Sequence, residues 1–376
     1  MIVSSSAPAI LFAGGGSGGH ISPGLAIAER LRDREPKARA VFACSTRTID
    51  RTMLEHAGEE FHPMPASPPS FRARAAWRFL RNYQQTRRRV RRLLRTESID
   101  LVIALGGFVA APCVAAARAS GLPSVLVNLD APPGKANRMI ARKCQRVLSA
   151  VDLPIAPKFA QEVVGLPVRR SAITAEEPAA CRRAFGLDPD RPVLLVTGAS
   201  QGATSINAFM QEMARNHAAD FAGWQILHLA GIEADEPLRE AYQRAEIPAV
   251  VQPFTHEMGR AWGAADLAIS RAGANSVAEV AINAVPSIFL PYPYHADQHQ
   301  KHNAAPLIER GGAVLVDDGI EAAKNLEQLR PVLQRLMGDS AERARMRERL
   351  ETSRPDDAAA RIVEIVLNLI SSSKGG

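Results

Sequence analysis

The 376-residue sequence predicts an α/β protein: two Rossmann-like, doubly wound domains of similar size that face a cleft. Three observations carry that expectation. Short apolar runs alternate with helical or loop segments along the chain, the mark of βα units around a parallel sheet. The alternation breaks in a polar, proline-bearing stretch from Leu166 to Pro192 and then begins again. Each half opens on the same device, an apolar strand running into a glycine loop and a helix start, PAILFAGGGSGGH in the first and PVLLVTGASQGATSIN in the second.

In order, AILFAG, ARAVFACS, DLVIALG, PSVLVNL and QRVLSAV read as strands of the first domain. PVLLVTG, WQILHLAG, AVVQPF, DLAISRAG, PSIFLPY and GAVLVDD read as strands of the second. The boundaries that follow are 1–167, a linker at 168–190, 191–352, and a C-terminal helix and tail at 353–376.

The composition, 46% apolar and 23% charged, is that of globular material. Cys44, Cys113, Cys144 and Cys181 lie far apart with no CxxC pair, which argues against a disulfide framework or structural zinc and fits a reducing cytoplasm. MIVSSSAPAILFAG has neither a basic leader nor a long apolar core, and no stretch reaches the roughly 18 to 20 unbroken apolar residues of a spanning helix. Neither secretion nor membrane spanning is expected.

A formal net charge of +7 and a pI of about 9.5 call for an anionic partner. The charge is concentrated. Between Pro68 and Arg95 stand ten arginines and no acidic residue, interleaved with aromatic and aliphatic side chains. Trp77, Arg78, Phe79, Leu80 and Arg81 form the candidate contact with an anionic membrane surface, apolar groups entering the interface and cations meeting headgroups. Two other readings stand beside it: a surface helix whose arginines are merely solvated, and an RNA-binding segment, for which no recognition-module signature is present.

A glycine loop between strand and helix is an anion site, because free backbone N–H groups and the helix dipole point at whatever binds there. Gly14, Gly16 and Gly19 satisfy the dinucleotide spacing G-x-G-x-x-G, but that fold wants an acidic residue at the end of the second strand, and AVFACSTRT has none. A third loop, in DLAISRAGANSVAE, leads into a helix starting near Ala274, with Glu279 on the face its amino terminus presents. A carboxylate there accepts from two ribose hydroxyls while the helix start takes a phosphate. The cluster His295, His299 and His302 lacks the glutamate of H-E-x-x-H, so no metal and no cofactor is expected.

GGGSGGHISPGLAIAERL, LGGFVAAPCVAAA, VGLPVR, TGASQGATSIN, SRAGANSVAE and DQHQKHNA, in this order, resemble the bacterial lipid-linked N-acetylglucosaminyltransferases of the MurG family over nearly the whole chain. The resemblance implies the two-domain glycosyltransferase-B fold and an inverting, metal-independent transfer of N-acetylglucosamine from its UDP form to lipid I, making lipid II. It also implies peripheral attachment to the cytoplasmic face of the membrane through an acceptor-binding amino-terminal domain, the carboxyl-terminal domain binding the UDP-sugar. By position it carries over Ser17, Gly18 and Gly19 as amino-terminal contacts, with His20 beside the acceptor, and Arg169 and Ser200 on the diphosphate side. Thr255 falls where a backbone contact to uracil is expected; Ala274, Asn275, Ser276, Val277, Ala278 and Glu279 would hold diphosphate and ribose, and His299 and Gln300 would face the donor sugar.

The chain departs from the family at Val127, Asn128, Leu129 and Asp130, where His-Glu-Gln-Asn is usual, and Asp130 brings a new charge. His20 is the expected general base, since imidazole titrates near neutrality, and Asp130 is its rival. A related transferase with another lipid acceptor, a UDP-sugar epimerase on the same fold and a basic RNA-binding protein remain as alternatives.

Overall fold

A strand covered on both faces must be apolar at every position, and AILFA meets that demand: Ala9–Ala13 is buried throughout and forms the strand β1. The computed structural model describes residues 7–16, 18–68, 72–153, 156–198, 202–231, 234–294 and 298–374. The chain divides into two units, one from 1–169 together with 356–376, the other from 170–355.

In the first unit β1 is followed by α1 (Gly18–Arg34), β2 (Arg39–Cys44), α2 (Thr48–His56), β3 (Glu60–Pro63), α3 (Ala73–Thr96) and β4 (Leu101–Ala104). Then come α4 (Gly107–Ala119), β5 (Ser124–Asn128), α5 (Lys135–Ala141), β6 (Arg146–Ser149) and β7 (Glu162–Val163). The strands form one parallel sheet in the order β3-β2-β1-β4-β5-β6-β7. Alternate residues of β1 supply its two cores. Ile10 and Phe12 pack with Phe42, Ile103 and Val125 on one face, where the rings of Phe12 and Phe42 stack 4.9 Å apart. Leu11 and Ala13 pack with Val41, Val102 and Leu126 on the other, beneath Val90 and Leu94 of α3 and Val109 and Val114 of α4.

The second unit repeats the plan with α6 (Pro178–Ala184), β8 (Val193–Thr197), α7 (Thr204–Asn216), β9 (Gln225–Leu229), α8 (Asp235–Arg244), β10 (Ala249–Gln252) and α9 (Met258–Ala264). It continues through β11 (Leu267–Ser270), α10 (Ala274–Asn283), β12 (Ser287–Phe289), α11 (His299–Glu309), β13 (Ala313–Leu315), α12 (Ala322–Gly338) and α13 (Ser340–Thr352). Its parallel sheet has the order β10-β9-β8-β11-β12-β13.

Both sheets match the doubly wound expectation, and every apolar run read as a strand contains one. Two strands were not anticipated, β3 and β7, because short edge strands of partly exposed, charged residues carry no apolar run. The stretch 168–190, expected as a linker, contributes to the second core instead. Phe185 and Leu187 are buried in one core with Trp262, Cys181 is buried one helical turn before Phe185, and Arg182 pairs with Asp266 at 2.9 Å.

A last helix, α14 (Ala358–Lys374), belongs with the first unit. Ala359, Ile362, Val363, Val366 and Ile370 form one stripe at helical spacing and join the core that holds Leu25, Ala28 and Leu31 of α1. Arg30 to Asp357 at 2.6 Å and Arg361 to Glu162 at 2.7 Å flank the seam. Because Ile362 is fully buried, Ile362→Ala is expected to destabilise the first unit by about 2–5 kcal/mol in urea unfolding. Ser371→Ala, on the exposed side of the same helix, should shift it by less than about 0.5 kcal/mol.

Candidate active site

In both sheets the strand order turns back beside the unit's first strand, giving β2-β1-β4 and β9-β8-β11. Helical connections leave such a point toward opposite faces, so the carboxyl ends of the two adjacent strands open a crevice where ligands of doubly wound folds bind. The glycine loops singled out in the sequence follow β1, β8 and β11 in the chain, three of the strands that meet at these points.

In the first unit the loop after β1 and the loop after β4 meet backbone to backbone. Gly15 has φ +140°, and a Cβ there would stand 2.4 Å from Asp50 Oδ2 and 2.7 Å from the Ser45 amide. No side chain fits. Asp50 is fully buried in α2, and its Oδ2 accepts from the Gly16 amide at 2.8 Å, the Ser45 amide at 3.1 Å and the Ser45 hydroxyl at 2.6 Å. A carboxylate with that many charge-assisted bonds holds the loop against the end of β2. Sequence reasoning missed Asp50. It looked for an acid at the end of β2 to bind a ribose; the acid stands five residues after Ser45 and faces the glycine loop.

Gly18, Gly19 and His20 form the first turn of α1. The His20 ring lies over Gly106, at φ +107°, where a Cβ would approach Nε2 to 3.1 Å and Asn137 Oδ1 to 3.3 Å. Burial lowers the His20 pKa, and the negative charges of Asp130 and Asp50 oppose that shift, so Asp130 and His20 belong to one electrostatic group. Val127, Asn128 and Leu129 are all buried. Asn128 donates to the Asp130 carbonyl at 2.8 Å and accepts from Asn137 at 3.0 Å. Of the four positions that depart from the family pattern, only Asp130 is partly exposed. Ser17 lies outside the described residues.

In the second unit Ala274, Asn275, Ser276, Val277, Ala278 and Glu279 are the first six residues of α10, which follows β11 and starts at Gly273 without a side-chain cap. The Trp262 indole N–H donates to Glu279 Oε2 at 2.9 Å, and burial raises the carboxyl from its ordinary 4.5 to about 7 against that bond. Trp262 was not legible as a site residue, since it lies 17 residues away on another helix. Behind the same loop Arg271, buried, donates to Asp318 Oδ2 at 2.6 Å, to Ser205 at 2.8 Å and to the Leu290 carbonyl at 3.0 Å. Asp318 also accepts from Ser205 at 2.6 Å and from Asn325 at 3.0 Å, and these bonds keep its carboxyl below the ordinary value although burial pushes the other way. This network ties the starts of α7 and α10 to the loop after β13.

The remaining expected contacts are distributed as follows. Thr255 follows β10, its hydroxyl accepting from the Glu257 amide at 3.1 Å. His299 and Gln300 open α11, and Gln300 Oε1 accepts from the Tyr292 amide at 2.8 Å. Arg169 stands in the first unit, its Nε 3.2 Å from Glu29 of α1, apart in sequence and in unit from Ala274–Glu279. Ser200 and His295 lie outside the described residues, and among those described no three histidine, cysteine or acidic side chains are placed to hold a metal ion. On α3, Trp77 and Leu80 are 64% and 58% exposed, Phe79 is partly covered by Tyr83, and Arg81 lies 5.7 Å over the Trp77 ring; Arg78 is exposed. No helix among the described residues is long and apolar enough to cross a membrane.

Two parallel α/β units whose switch points lie at the ends of their first strands have the glycosyltransferase-B architecture. Residues 10–149 match the glycosyltransferase family 28 N-terminal domain and residues 193–362 the C-terminal domain of the same family. Full-length relatives narrow this. A protein of Nocardioides sp. is 37% identical over 96% of this chain and 98% of its own, and one of Clavibacter sepedonicus is 34% identical over 96% of each. Both are named UDP-N-acetylglucosamine–N-acetylmuramyl-(pentapeptide) pyrophosphoryl-undecaprenol N-acetylglucosamine transferase. The chain belongs to this family, the MurG family. The fold is shared with MurG of Acinetobacter baumannii at a TM-score of 0.71 and 23% identity, covering 96% of this chain and 99% of that one. It is shared more distantly with a UDP-N-acetylglucosamine 2-epimerase of Listeria monocytogenes, described as putative, at a TM-score of 0.64 and 13% identity over 96% and 95% of the two chains.

The raised Glu279 carboxyl sets a pH dependence of stability. A folded-state pKa above the unfolded value means that the fold prefers the protonated form, so stability is undiminished below about pH 4.5, falls as pH rises through about 7, and stays lowered above it. Glu279→Gln, which keeps an acceptor for the Trp262 indole, is expected to melt at a higher temperature than the parent protein at pH 8 and at nearly the same temperature at pH 4, measured by calorimetry.

Proposed function

We propose that the protein transfers N-acetylglucosamine from UDP-N-acetylglucosamine to lipid I, an undecaprenyl-pyrophosphoryl-linked acceptor, as a peripheral enzyme on the cytoplasmic face of the cell membrane serving peptidoglycan synthesis. The observation that carries this proposal is kinship along the whole chain with enzymes named for this transfer. It favours transfer over epimerisation, since the epimerase shares the fold alone.

In this reading the second unit binds the donor. Ionised Glu279, oriented by Trp262, accepts from both ribose hydroxyls, the first turn of α10 takes diphosphate, the Thr255 backbone meets uracil, and His299 with Gln300 meets the sugar. Ser200 is assigned to the diphosphate by position, and so is Arg169, whose Nε lies 3.2 Å from Glu29. The first unit binds the acceptor through Ser17, Gly18 and Gly19. The acceptor hydroxyl oxygen bonds to the anomeric carbon from the face opposite UDP, the bond from that carbon to the β-phosphate oxygen breaks, and UDP departs with its electron pair. The hydroxyl proton passes to the His20 imidazole. Burial keeps His20 uncharged at neutral pH, ready to accept a proton, and the Asp130 carboxylate stabilises the imidazolium that results. A different lipid acceptor is the second reading, favoured by the charge of Asp130 at the one partly exposed position of the departing motif.

Incubation of radiolabelled UDP-N-acetylglucosamine with lipid I in detergent is expected to give labelled lipid product; absence of product with lipid I, and its appearance with another polyprenyl acceptor, would select the second reading. His20→Ala should lower turnover about 100-fold with little change in donor affinity. The acid limb of the turnover profile should lie below pH 6.5 and move lower still in Asp130→Asn, because that carboxylate raises the His20 pKa. Full turnover in His20→Ala with loss in Asp130→Asn would make Asp130 the base.

Glu279→Ala should weaken UDP binding tenfold or more by calorimetry, two charge-assisted bonds being lost at about 1.5–3 kcal/mol each. Binding by the parent protein should strengthen as pH rises from 6 to 8, as the carboxyl with a pKa of about 7 ionises. The variant should show no such rise.

A further inference from the structure

Every residue of β9 is buried, and one of them is a histidine. His228 Nδ1 lies 2.8 Å from the hydroxyl of Tyr242 on α8, and its Nε2 lies 3.1 Å from Asn207 Oδ1 on α7. Asn207 Nδ2 in turn donates to the Ala230 carbonyl at 2.8 Å. That last bond settles the others. With its nitrogen on Ala230, the Asn207 amide turns only an acceptor toward the ring, so Nε2 carries the proton, Nδ1 is bare, and the Tyr242 hydroxyl donates to it. Burial drives the imidazole pKa down to about 3, which keeps the ring neutral. A directional chain of bonds therefore runs from α8 through β9 to α7 and ends on the residue that follows β9.

Transfer as proposed uses none of these three side chains, and apolar ones of like volume would fill the space with no polar group to satisfy. What the chain of bonds supplies is direction. Ile206, Phe209 and Met210 attach α7 to its core by contacts that tolerate rotation, whereas Ser205 and Asn207 hold it from two sides, since residues two apart on a helix do not face one way. Ser205 bonds to Asp318 at 2.6 Å and to Arg271 at 2.8 Å. Asn207 bonds to the Ala230 carbonyl, and a Cβ on Gly202 would stand 2.3 Å from that same oxygen. The loop between β8 and α7 thus closes against the group that Asn207 holds. Ala203, at the N-cap of α7, has no side-chain oxygen to offer the first-turn amides.

We propose that Asn207 and His228 are positioning residues for the diphosphate of the nucleotide donor: by setting the rotation of α7 they aim its first turn at the phosphates. This rests on the donor site proposed above and extends it to two buried side chains. The uridine half of the donor, assigned to Glu279 and the Thr255 backbone, does not depend on α7, so the two halves of the ligand separate the outcomes.

The test measures UDP affinity by calorimetry and uridine affinity by ligand-observed nuclear magnetic resonance on the full-length protein. Asn207→Leu and His228→Leu should each weaken UDP binding about tenfold or more and uridine binding about twofold or less. His228→Gln, whose amide keeps a donor where Nε2 stood, should bind UDP within about threefold of the parent. Met213→Ala, at a fully buried position farther along α7, should lower the melting temperature and keep both affinities. Nitrogen-15 resonances of the His228 ring should show Nε2 protonated and Nδ1 bare from about pH 5 to 8. Losses of UDP and uridine in equal proportion, or losses that track melting temperature across all four variants, would reduce the network to a core element and overturn the proposal, as would a proton on Nδ1. Failure of the parent protein to bind UDP would overturn the donor site itself, and this extension with it.

Discussion

A parallel sheet has no polar edge to spare for chemistry: its strands are apolar, its faces are covered by helices, and only the ends of strands reach water. Where strand order turns back, beside β1 in one sheet and β8 in the other, the covering helices part and two strand ends are left side by side. Of the side chains proposed for catalysis and donor binding, His20 and Glu279 stand on the helices that follow β1 and β11 at those reversals. Gly107 lets the loop after β4 approach the Gly15 backbone with no Cβ between them, and the buried Asp50 carboxylate holds the glycine turn in place. His20 acquires its orientation and its lowered pKa from that scaffold. The same logic in the second unit uses a different anchor, the Arg271–Asp318–Ser205 network, to fix the start of α10 and with it Glu279.

Central strands were legible because double-sided burial leaves an unbroken apolar run, as in AILFA and VLLVT. Edge strands β3 and β7 were not, since an edge is half wet and reads like a loop. Cys181 and Phe185 had the right helical spacing, but the prolines and charges around them suggested a connection and not a core element. At the site, Glu279 could be placed from its distance to a glycine turn within one element. Its partner Trp262 could not, because the contact joins two helices through tertiary packing. Asp50 fell between these cases: its position near the end of β2 is visible in the sequence, yet the direction it faces depends on how α2 packs.

Two kinds of charge coexist in the molecule and obey opposite rules. Arg271 and Asp318 are withdrawn from water and paired through several bonds, so they fix geometry and leave nothing over for a ligand. The arginines of α3 are mostly solvated and lack carboxylates on their own helix. Their mutual repulsion is tolerable because water and salt screen it, and it keeps that face available to anions. Partition of charge between a locked interior and an open surface lets one chain hold a fixed internal framework and a solvated cationic helix without either distorting the other.

The return of α14 to the first unit bears on the order in which the chain folds during synthesis. Domains usually fold as they emerge, amino-terminal part first. Here the stretch of α1 that packs with Ile362, Val363 and Val366 stays uncovered until residues beyond 355 leave the ribosome, by which time the second unit is complete. The first unit is therefore completed after the second, and a nascent chain carries an exposed apolar groove until residues 356–374 emerge. Release or stalling before residue 356 is made would yield a chain with a whole second unit and an open first one, a natural substrate for chaperones and proteases.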